Sequence, residues 1–324
     1  MTLHPSVAAV RVPVRAALSR LSAGDVVAVA CSGGADSLAL ASAAVFEGHK
    51  LAQRIVGVTV DHGLQPGSAE QALRVVAQLA AMGVDETVTA RVEVDSASGL
   101  GPEAAAREAR YAVLAEVAER LDARTVLLGH TLDDQAETVL LGLARGSGGR
   151  SLQGMRPAFG VFARPLLGVR RDDTVTACQV EGLNFWDDPH NADPGYTRVR
   201  VRDRVLPVLE AELGPGIAEA LARTADQLRE DTVLLDLLTD EAVARAREPG
   251  GLDIAALRLE SPSLRHRAIH RAALEAGVPA SELTRGHVLE VDRLVVGWRG
   301  QRWVDLPGHL RALRRDGLLV VEAP

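Results

Sequence analysis

The hexapeptide SGGADS, residues 32 to 37, carries residue types that can hold an oligophosphate. Gly33 and Gly34 let backbone N–H groups approach a ligand closely, and the hydroxyls of Ser32 and Ser37 can donate hydrogen bonds. A buried strand pattern precedes the segment and a helical pattern follows it, so a helix N-terminus adds partial positive charge. We predict a phosphate-binding loop that needs no lysine.

Asp36, which follows Ala35 in this loop, would repel a bare phosphate. Its presence therefore predicts a Mg²⁺ ion that bridges the carboxylate and the phosphate oxygens. The alternative left open is an ordinary tight turn in which Asp36 or Ser37 caps the helix.

Lys50 is the only lysine among the 36 basic residues of the chain. A Walker A loop requires a lysine at a fixed position, and Schiff-base chemistry requires a buried reactive one. Lys50 lies in EGHKLAQR, a segment typical of a turn. Neither mechanism is expected here.

Apolar strand patterns alternate with helical patterns from residue 1 to about residue 145, which predicts an α/β fold with a parallel sheet flanked by helices. Strands are predicted at residues 25–31, 54–63, 86–94 and 124–130. Each is followed by a helical pattern, so the loops after the strands should place side chains at one edge of the sheet. His130 and Asp133 lie at one such strand-to-helix junction.

Two domains are predicted from the length and from the change in pattern along the chain. The catalytic domain is expected at residues 1–210, and a smaller, mainly helical domain at residues 211–324. Long helical runs over residues 215–248 and 263–276 support the second domain, and the tail from residue 303 fits a short hairpin.

Composition narrows the class of protein further. The two cysteines, Cys31 and Cys178, cannot form a CxxC pair, and both are expected in the core. No apolar run is long enough for a membrane span and no signal peptide is visible, so the cytoplasm and no membrane partner are expected. The net charge of −7 requires any RNA contact to come from a local basic surface.

SGGxDS after the first strand is the PP-loop of ATP pyrophosphatases, and the chain resembles the tRNA(Ile)-lysidine synthetases within that superfamily. Three further blocks carry the resemblance: VDHGL (60–64), AREARYAVL (106–114) and GHTLDDQAETVLLGLARGSG (129–148). RPLLGVRR (164–171) and the segment 186–209 match more loosely. The chain has DPHN and TRVRVR where the family usually has DPSN and TRNRIR, so His190 and Val199 are departures.

The resemblance implies an adenine nucleotide α-hydrolase-like fold and a reaction in two steps. ATP adenylates the ring carbonyl of the wobble cytidine in tRNA(Ile) with a CAU anticodon and releases pyrophosphate, and the amine of free lysine then displaces AMP. ATP and Mg²⁺ are thus the expected cofactors, tRNA and lysine the expected partners, and Asp36 the expected metal ligand. The oligomeric state is left open, with a homodimer allowed.

Roles for individual residues follow from the resemblance. Arg110 would stabilise negative charge near the α-phosphate or the activated cytosine, although it could instead pair with Glu103 or Glu108 on its helix. Asp134 and Glu137 share one helix face and would bind the cationic amino acid. The plain alternative for that pair is an acidic first helical turn. His62 would lie at the nucleotide or serve a structural role.

An RNA contact is expected from four arginines at every second position: Arg198, Arg200, Arg202 and Arg204. An extended backbone would align their guanidinium groups as a phosphate track, whereas a helix would scatter them. A solvated basic surface is the alternative.

Three other functions share some of these features. A PP-loop tRNA thiolase would use the same nucleotide loop and RNA partner but needs cysteines for sulfur or cluster handling. A small-molecule amidating ligase would have no use for the arginines, and a non-catalytic ATP-binding or RNA-binding module would not cleave ATP.

Overall fold

The structure, a computed structural model, describes residues 3–61, 67–92, 102–146, 148–186 and 193–324, without the side chains of residues 102–106. The chain divides into two compact units, Met1–Leu228 and Arg229–Pro324. The division lies inside a long helix rather than near residue 210. Ala218 and Ala222, at the beginning of that helix, are buried in a core cluster of the first unit.

A six-stranded sheet forms the centre of the first unit. Its strands are β1 (Val26–Ala30), β2 (Arg54–Asp61), β3 (Glu86–Arg91), β4 (Ala123–Leu127), β5 (Ala158–Phe159) and β6 (Phe162–Ala163). The spatial order is β3-β2-β1-β4-β6-β5, with parallel pairing throughout except between β5 and β6. All four strands predicted from the sequence are confirmed.

Helices cover both faces of this sheet. The helices of this unit are α1 (Pro5–Leu18), α2 (Ala35–Lys50), α3 (Ser68–Met82), α4 (Pro102–Arg120), α5 (Leu132–Arg145), α6 (Arg171–Val180), α7 (Thr197–Arg200) and α8 (Leu206–Leu213), and α9 (Ile217–Ala246) begins in the same unit. Val27 and Val29 of β1 are buried in one core cluster, and Ala28 between them is buried in another. Alternate burial of this kind is what a strand between two helical layers requires.

The connections reverse direction at β1. From this strand the chain continues to β2 and β3 on one side, whereas β4 pairs with the other side. Open α/β sheets bind their ligands at such a switch point, outside the carboxyl ends of the strands. The loops after β1 and β4 are therefore the expected position of a site.

The second unit combines helices with a five-stranded sheet, so the expected helical domain also contains strands. Helices α10 (Ile254–Leu259), α11 (Pro262–Glu275) and α12 (Arg285–Val296) accompany strands β7 (Arg247–Glu248), β8 (Gly251–Asp253), β9 (Trp303–Leu306), β10 (Leu310–Arg315) and β11 (Leu318–Glu322). Strands β9, β10 and β11 form two consecutive antiparallel hairpins, which confirms the hairpin predicted in the tail. Within the described residues, no helix has the length and apolarity needed to cross a membrane.

Candidate active site

The SGGADS loop lies at the switch point, between the end of β1 and the beginning of α2. Gly33 has a φ of +85°, and a Cβ atom there would lie 2.7 Å from Val75 Cγ2, so both conformation and space require glycine. Gly34 is the N-cap of α2 and offers no side chain to its free N–H groups. These groups remain available to an anion.

Hydrogen bonds fix the shape of the loop. Ser37 is buried, and its hydroxyl donates to the carbonyl of Gly34 (2.9 Å) while it accepts from the N–H of Ser32 (3.2 Å). The N–H of Trp186 donates to the carbonyl of Gly33 (2.9 Å). Ser37 thus holds the loop together, whereas the Ser32 hydroxyl lies 3.3 Å from that of Ser37.

Gly33→Ala is expected to lower the free energy of unfolding by roughly 2 to 4 kcal/mol, because it adds a steric overlap to an unfavourable φ. Gly83→Ala is the matched control, since Gly83 has a φ of +87° and open space around its Cβ position. We expect a loss of about 1 kcal/mol in the control. Urea unfolding of both variants measures the difference, and equal losses would mean that packing against Val75 does not constrain the loop.

Asp36 lies in the first turn of α2, and its side chain is partly buried. The hydroxyl of Thr174 donates to one carboxylate oxygen, and Nε of Arg171 lies 3.3 Å from the other. Burial raises the pKa of Asp36, although Arg171 opposes the shift. Gly129, in the loop after β4, lies close to the backbone of α2, since a Cβ atom on Gly129 would lie 3.1 Å from the Asp36 carbonyl oxygen.

Arg171 gathers several carboxylates around one guanidinium group. Asp134 pairs with its Nη2 at 3.0 Å, and Glu137 lies 3.7 Å from its Nη1. Asp133 accepts a hydrogen bond from the backbone N–H of Arg171 at 2.7 Å. We call Asp36, Asp134 and Glu137 the carboxylate cluster; it confirms that Asp134 and Glu137 share one face of α5.

Asp134 also caps its own helix, because it accepts hydrogen bonds from the N–H and hydroxyl of Thr131. Burial works against its ionisation, but Arg171 and the Thr131 N–H outweigh burial and lower the pKa of Asp134. Asp134 therefore does both things that were predicted as alternatives: it stabilises the first turn of α5, and it belongs to the carboxylate cluster.

Glu137 has no exposed side-chain surface and is held by two further arginines. Arg202 Nε donates to one oxygen at 2.6 Å, and Arg198 Nε lies 2.9 Å from the other. Burial raises the pKa of Glu137, and Arg202 counteracts that effect. An incoming ammonium group would have to compete with these guanidinium groups for Glu137.

A second group of arginines lies beside the carboxylates. Arg110 of α4 is half-buried, and burial together with Arg107, Arg198 and Arg164 lowers its pKa. Glu108 does not pair with Arg110, and within the described side chains no carboxylate does; the Glu103 side chain lies outside them. Arg107, Arg110, Arg164 and Arg198 are called the arginine cluster below.

Two neighbours fix this arginine cluster. Arg164 donates to the carbonyl of Arg156 (2.6 Å) and to the hydroxyl of Tyr111 (2.9 Å). The Tyr111 ring packs edge-on against Phe159 and Phe162, which come from β5 and β6. The Arg164 guanidinium group is thereby anchored to the aromatic part of the core.

His130 interacts electrostatically with Asp134 of the carboxylate cluster and with members of the arginine cluster. Burial, together with Arg164 and Arg110, lowers its pKa to about 3 against the influence of Asp134, so the ring is neutral at neutral pH. Its Nδ1 atom is buried and has no hydrogen-bond partner in the described part of the chain. Such an atom is expected to bind a ligand or water.

The extended arginine track is wrong. Residues 197–213 are helical, with a π-helical turn at Val201–Val205 between α7 and α8. Val199 and Val201 are buried, and packing of these apolar side chains explains why the alternating segment coils. Arg198 and Arg202, four residues apart, both reach Glu137, whereas Arg200 caps backbone carbonyls at Pro194 and Gly195.

Arg171, Thr174, Arg164 and Tyr111 were not assigned roles from the sequence. Arg164 and Arg171 lie in RPLLGVRR, one of the blocks that carry the family resemblance, but the block alone does not indicate their contacts. Thr174 has no motif that could have identified it. His62, for which a nucleotide or structural role was predicted, and His190, a departure from the family pattern, lie outside the described residues.

Two family models match the chain. One, described as a PP-loop domain, covers residues 11–209, and the other, a TilS substrate binding domain, covers residues 252–319. A tRNA(Ile)-lysidine synthase from Thermobifida fusca is 54% identical over 320 residues, or 98% of each chain. One from Streptomyces coelicolor is 50% identical over 348 residues, again 98% of each.

Among solved structures, the chain is similar to a U34-tRNA thiolase, NcsA from Methanococcus maripaludis with its [4Fe-4S] cluster. The TM-score is 0.59 at 20% identity, with 69% of this chain and 80% of that one covered. At this identity the likeness shows a common fold and nothing about the reaction.

Proposed function

The chain belongs to the tRNA(Ile)-lysidine synthase family, and from this membership we propose that it ligates lysine to C2 of the wobble cytidine in tRNA(Ile) with a CAU anticodon. ATP and lysine are converted to AMP and pyrophosphate as lysidine forms. The observation that supports the proposal is that Asp36 of the phosphate loop shares Arg171 with Asp134 and Glu137, while the arginine cluster acts electrostatically on His130, as Asp134 does. The arginines suit the negative charge that develops during adenylation, and the carboxylates suit the cationic lysine of the second step.

In the first step, the cytidine carbonyl oxygen attacks the α-phosphorus of ATP and pyrophosphate leaves. The free N–H groups at the beginning of α2 hold the phosphates. Arg110, which lacks a carboxylate partner among the described side chains, stabilises the negative charge that develops on the phosphate or the adenylated base. Neutral His130 offers Nδ1 for a hydrogen bond without adding charge.

Mg²⁺ fits this site through Asp36. The described residues contain no group of three His, Cys, Asp or Glu side chains that could hold a metal by themselves. One carboxylate beside a phosphate loop nevertheless matches the usual Mg²⁺ environment, in which phosphate oxygens and water complete the coordination. The bound ion would neutralise the pyrophosphate group, and Thr174 and Arg171 hold the Asp36 carboxylate that would bind it.

In the second step, the lysine amine attacks C2 of the adenylated cytidine and AMP leaves. Asp134 and Glu137 attract the ammonium group, which takes over contacts that the arginines make with these carboxylates. An ammonium must lose a proton before it attacks, and Glu137, whose pKa burial raises, is suited to accept it.

Transfer RNA binding is proposed for Arg198, Arg200, Arg202 and Arg204, with different contributions. Arg198 and Arg202 pair with Glu137 and would connect RNA binding to the active site. Arg204 is exposed, and no ion pair of its side chain is found among the described residues. It is therefore the member of this group that is free to contact a phosphate.

Arg204→Gln is expected to lower the slope of log K against log salt for tRNA binding by about one, because one phosphate contact is lost. The melting temperature should not change, since the side chain is exposed. Arg120→Gln is the control, as Arg120 is also exposed but lies at the end of α4. Filter binding over a salt series measures both, and an unchanged slope in Arg204→Gln would show that this arginine is only solvated.

A second copy of the chain is a further proposed partner. Val233, Leu234 and Leu237 of α9 are each 58% exposed and lie on neighbouring positions of one helix face. Burial of this face against another copy would remove it from water. We expect Leu234→Glu to shift the sedimenting mass from dimer to monomer; a wild type that sediments as a monomer would contradict the proposal.

The cytoplasm is the proposed compartment, since ATP and tRNA are available there.

The thiolase alternative is not favoured, because relatives of the chain at about half identity over nearly its full length are lysidine synthases. Production of AMP and pyrophosphate with and without tRNA(Ile) tests the proposed activity. We expect both products only when the tRNA is present. ATP binding without cleavage would instead indicate a non-catalytic module.

A further inference from the structure

Two of the three tryptophans in the chain are exposed in the second unit. Trp298 has 48% of its surface exposed and Trp303 has 43%, and neither belongs to the core cluster of this unit. In a chain with only 3% aromatic residues, two exposed indoles so near each other in sequence are unusual. Exposed large apolar side chains commonly mark an interaction surface.

An arginine from β10 stacks on each indole. Arg314 Cζ lies 5.0 Å from the ring centroid of Trp298, and Arg311 Cζ lies 5.3 Å from that of Trp303. The indole N–H of Trp298 donates to the carbonyl of Gln301 (3.1 Å), which fixes the ring in the turn that precedes β9. Both rings are therefore held in position while a large part of each remains accessible.

Further positive charge surrounds these pairs. Arg299 and Arg302 are exposed in the same turn. Neither they nor Arg314 forms an ion pair with any described residue. We call Trp298, Arg299, Arg302, Trp303, Arg311 and Arg314 the tryptophan–arginine surface.

Some negative charge lies nearby but does not cancel this surface. Asp305 faces Arg311 across the β9–β10 pair, and Glu322 lies 3.9 Å from Arg311 while it pairs with Arg315. Arg311 is thus partly compensated. Against a net charge of −7 for the chain, the remainder is a local basic surface.

The two tryptophan–arginine pairs form separate positions. Arg311 and Arg314 are three residues apart on one strand, so their side chains leave opposite faces of the sheet. β9 is the edge strand, and the pairs lie on either side of this edge. A flexible chain could contact both positions, whereas a flat, rigid surface could not.

We propose that the tryptophan–arginine surface binds unpaired nucleotides of RNA, with bases stacked on Trp298 and Trp303 and phosphates contacted by Arg299, Arg302 and Arg314. Stacking on an aromatic ring requires an accessible base face, which a duplex does not offer. The identification of the RNA as the tRNA substrate rests on the proposed function. A protein partner, which exposed tryptophan and arginine also fit, is the alternative outcome.

Binding of tRNA(Ile) to single variants gives the first test. Trp298→Ala and Trp303→Ala should each raise the dissociation constant about tenfold, and the double variant about a hundredfold, because separate positions contribute additively. The KM for tRNA should rise while kcat at saturating tRNA stays unchanged. Leu259→Ala is the control, since Leu259 is 89% exposed in the same unit.

Replacements of similar volume separate stacking from folding. Trp303→Phe should keep most of the affinity, whereas Trp303→Leu should lose it, with equal melting temperatures. The same pair at Trp298 provides an independent comparison. If the leucine and phenylalanine variants bind RNA equally, base stacking is overturned.

Intrinsic fluorescence identifies the class of partner. In a Trp186→Phe background, only the two tryptophans of this surface emit. A short oligocytidine should quench them saturably, and a fully paired RNA duplex should do so much more weakly. Absence of quenching by the single strand would overturn the proposal and favour a protein partner.

Binding is measured without ATP or lysine. A negative result would therefore leave the proposed lysidine formation unaffected, and a missing lysidine product would leave the RNA measurement valid.

Discussion

Replacement of Asp36 by asparagine is expected to reduce both AMP release and lysine incorporation by at least about a hundredfold. Asp36 is the carboxylate of the phosphate loop, held by Thr174 and Arg171, and we propose that it holds the Mg²⁺ ion that neutralises the leaving pyrophosphate. Asparagine keeps the shape and the Thr174 contact but removes the charge. Because transfer depends on the adenylated cytidine, lysine incorporation must fall with the first step.

The matched control is Asp25→Asn, the same change in the turn before β1, where Asp25 accepts a hydrogen bond from the N–H of Ser22 (2.8 Å). Quenched-flow measurement of AMP in the presence of tRNA(Ile), with melting curves for both variants, separates catalysis from folding. If Asp36→Asn still cleaved ATP at more than about a tenth of the wild-type rate, Asp36 would not be essential for adenylation.

Glu137→Gln, in contrast to Asp36→Asn, is expected to separate the two steps. Adenylation should remain within a few fold of wild type, because ATP and the cytosine carbonyl do not need this carboxylate. The lysine concentration for half-maximal transfer should rise about ten- to a hundredfold, which corresponds to loss of a charge-assisted hydrogen bond of roughly 1.5 to 3 kcal/mol. A fall in maximal transfer rate would add a proton-accepting role.

The control for this prediction is Glu181→Gln, since Glu181 is also paired with an arginine, Arg11, but lies outside the site. Pyrophosphate release without lysine and labelled lysine incorporation over a concentration series report the two steps. Equal loss in both would place Glu137 at the nucleotide. A lower melting temperature with unchanged kinetics would restrict it to holding Arg198 and Arg202.

Local patterns were sufficient to predict the catalytic fold. The apolar run of β1 is continuous because helices cover both faces of the sheet, and each capped helix that follows a strand leaves a recognisable signal. Gly83, for example, ends α3 in the left-handed conformation that its position suggested. The phosphate loop was found for the same reason, since its residues are consecutive.

Contacts between distant segments could not be predicted. Arg171 joins Asp36, Asp134 and Glu137 across more than thirty positions of sequence, and nothing in local spacing indicates that partnership. The prediction of an extended segment from the alternating arginines was wrong for a related reason. Alternation with valine fits a strand, but burial of Val199, and of Val201 in a cluster with Leu132 and Ala136 of α5, favoured a helix instead.

The central claim is that this chain forms lysidine, and the most direct measurement is mass spectrometry of nucleosides from a tRNA(Ile) transcript with a CAU anticodon. The transcript is incubated with the protein, ATP and isotopically labelled lysine, and a transcript with another anticodon serves as the control. We expect a labelled cytidine whose mass has increased by lysine minus water, only in the CAU transcript and only with ATP. Pyrophosphate release without any labelled cytidine, or a sulfur-containing nucleoside in its place, would contradict it.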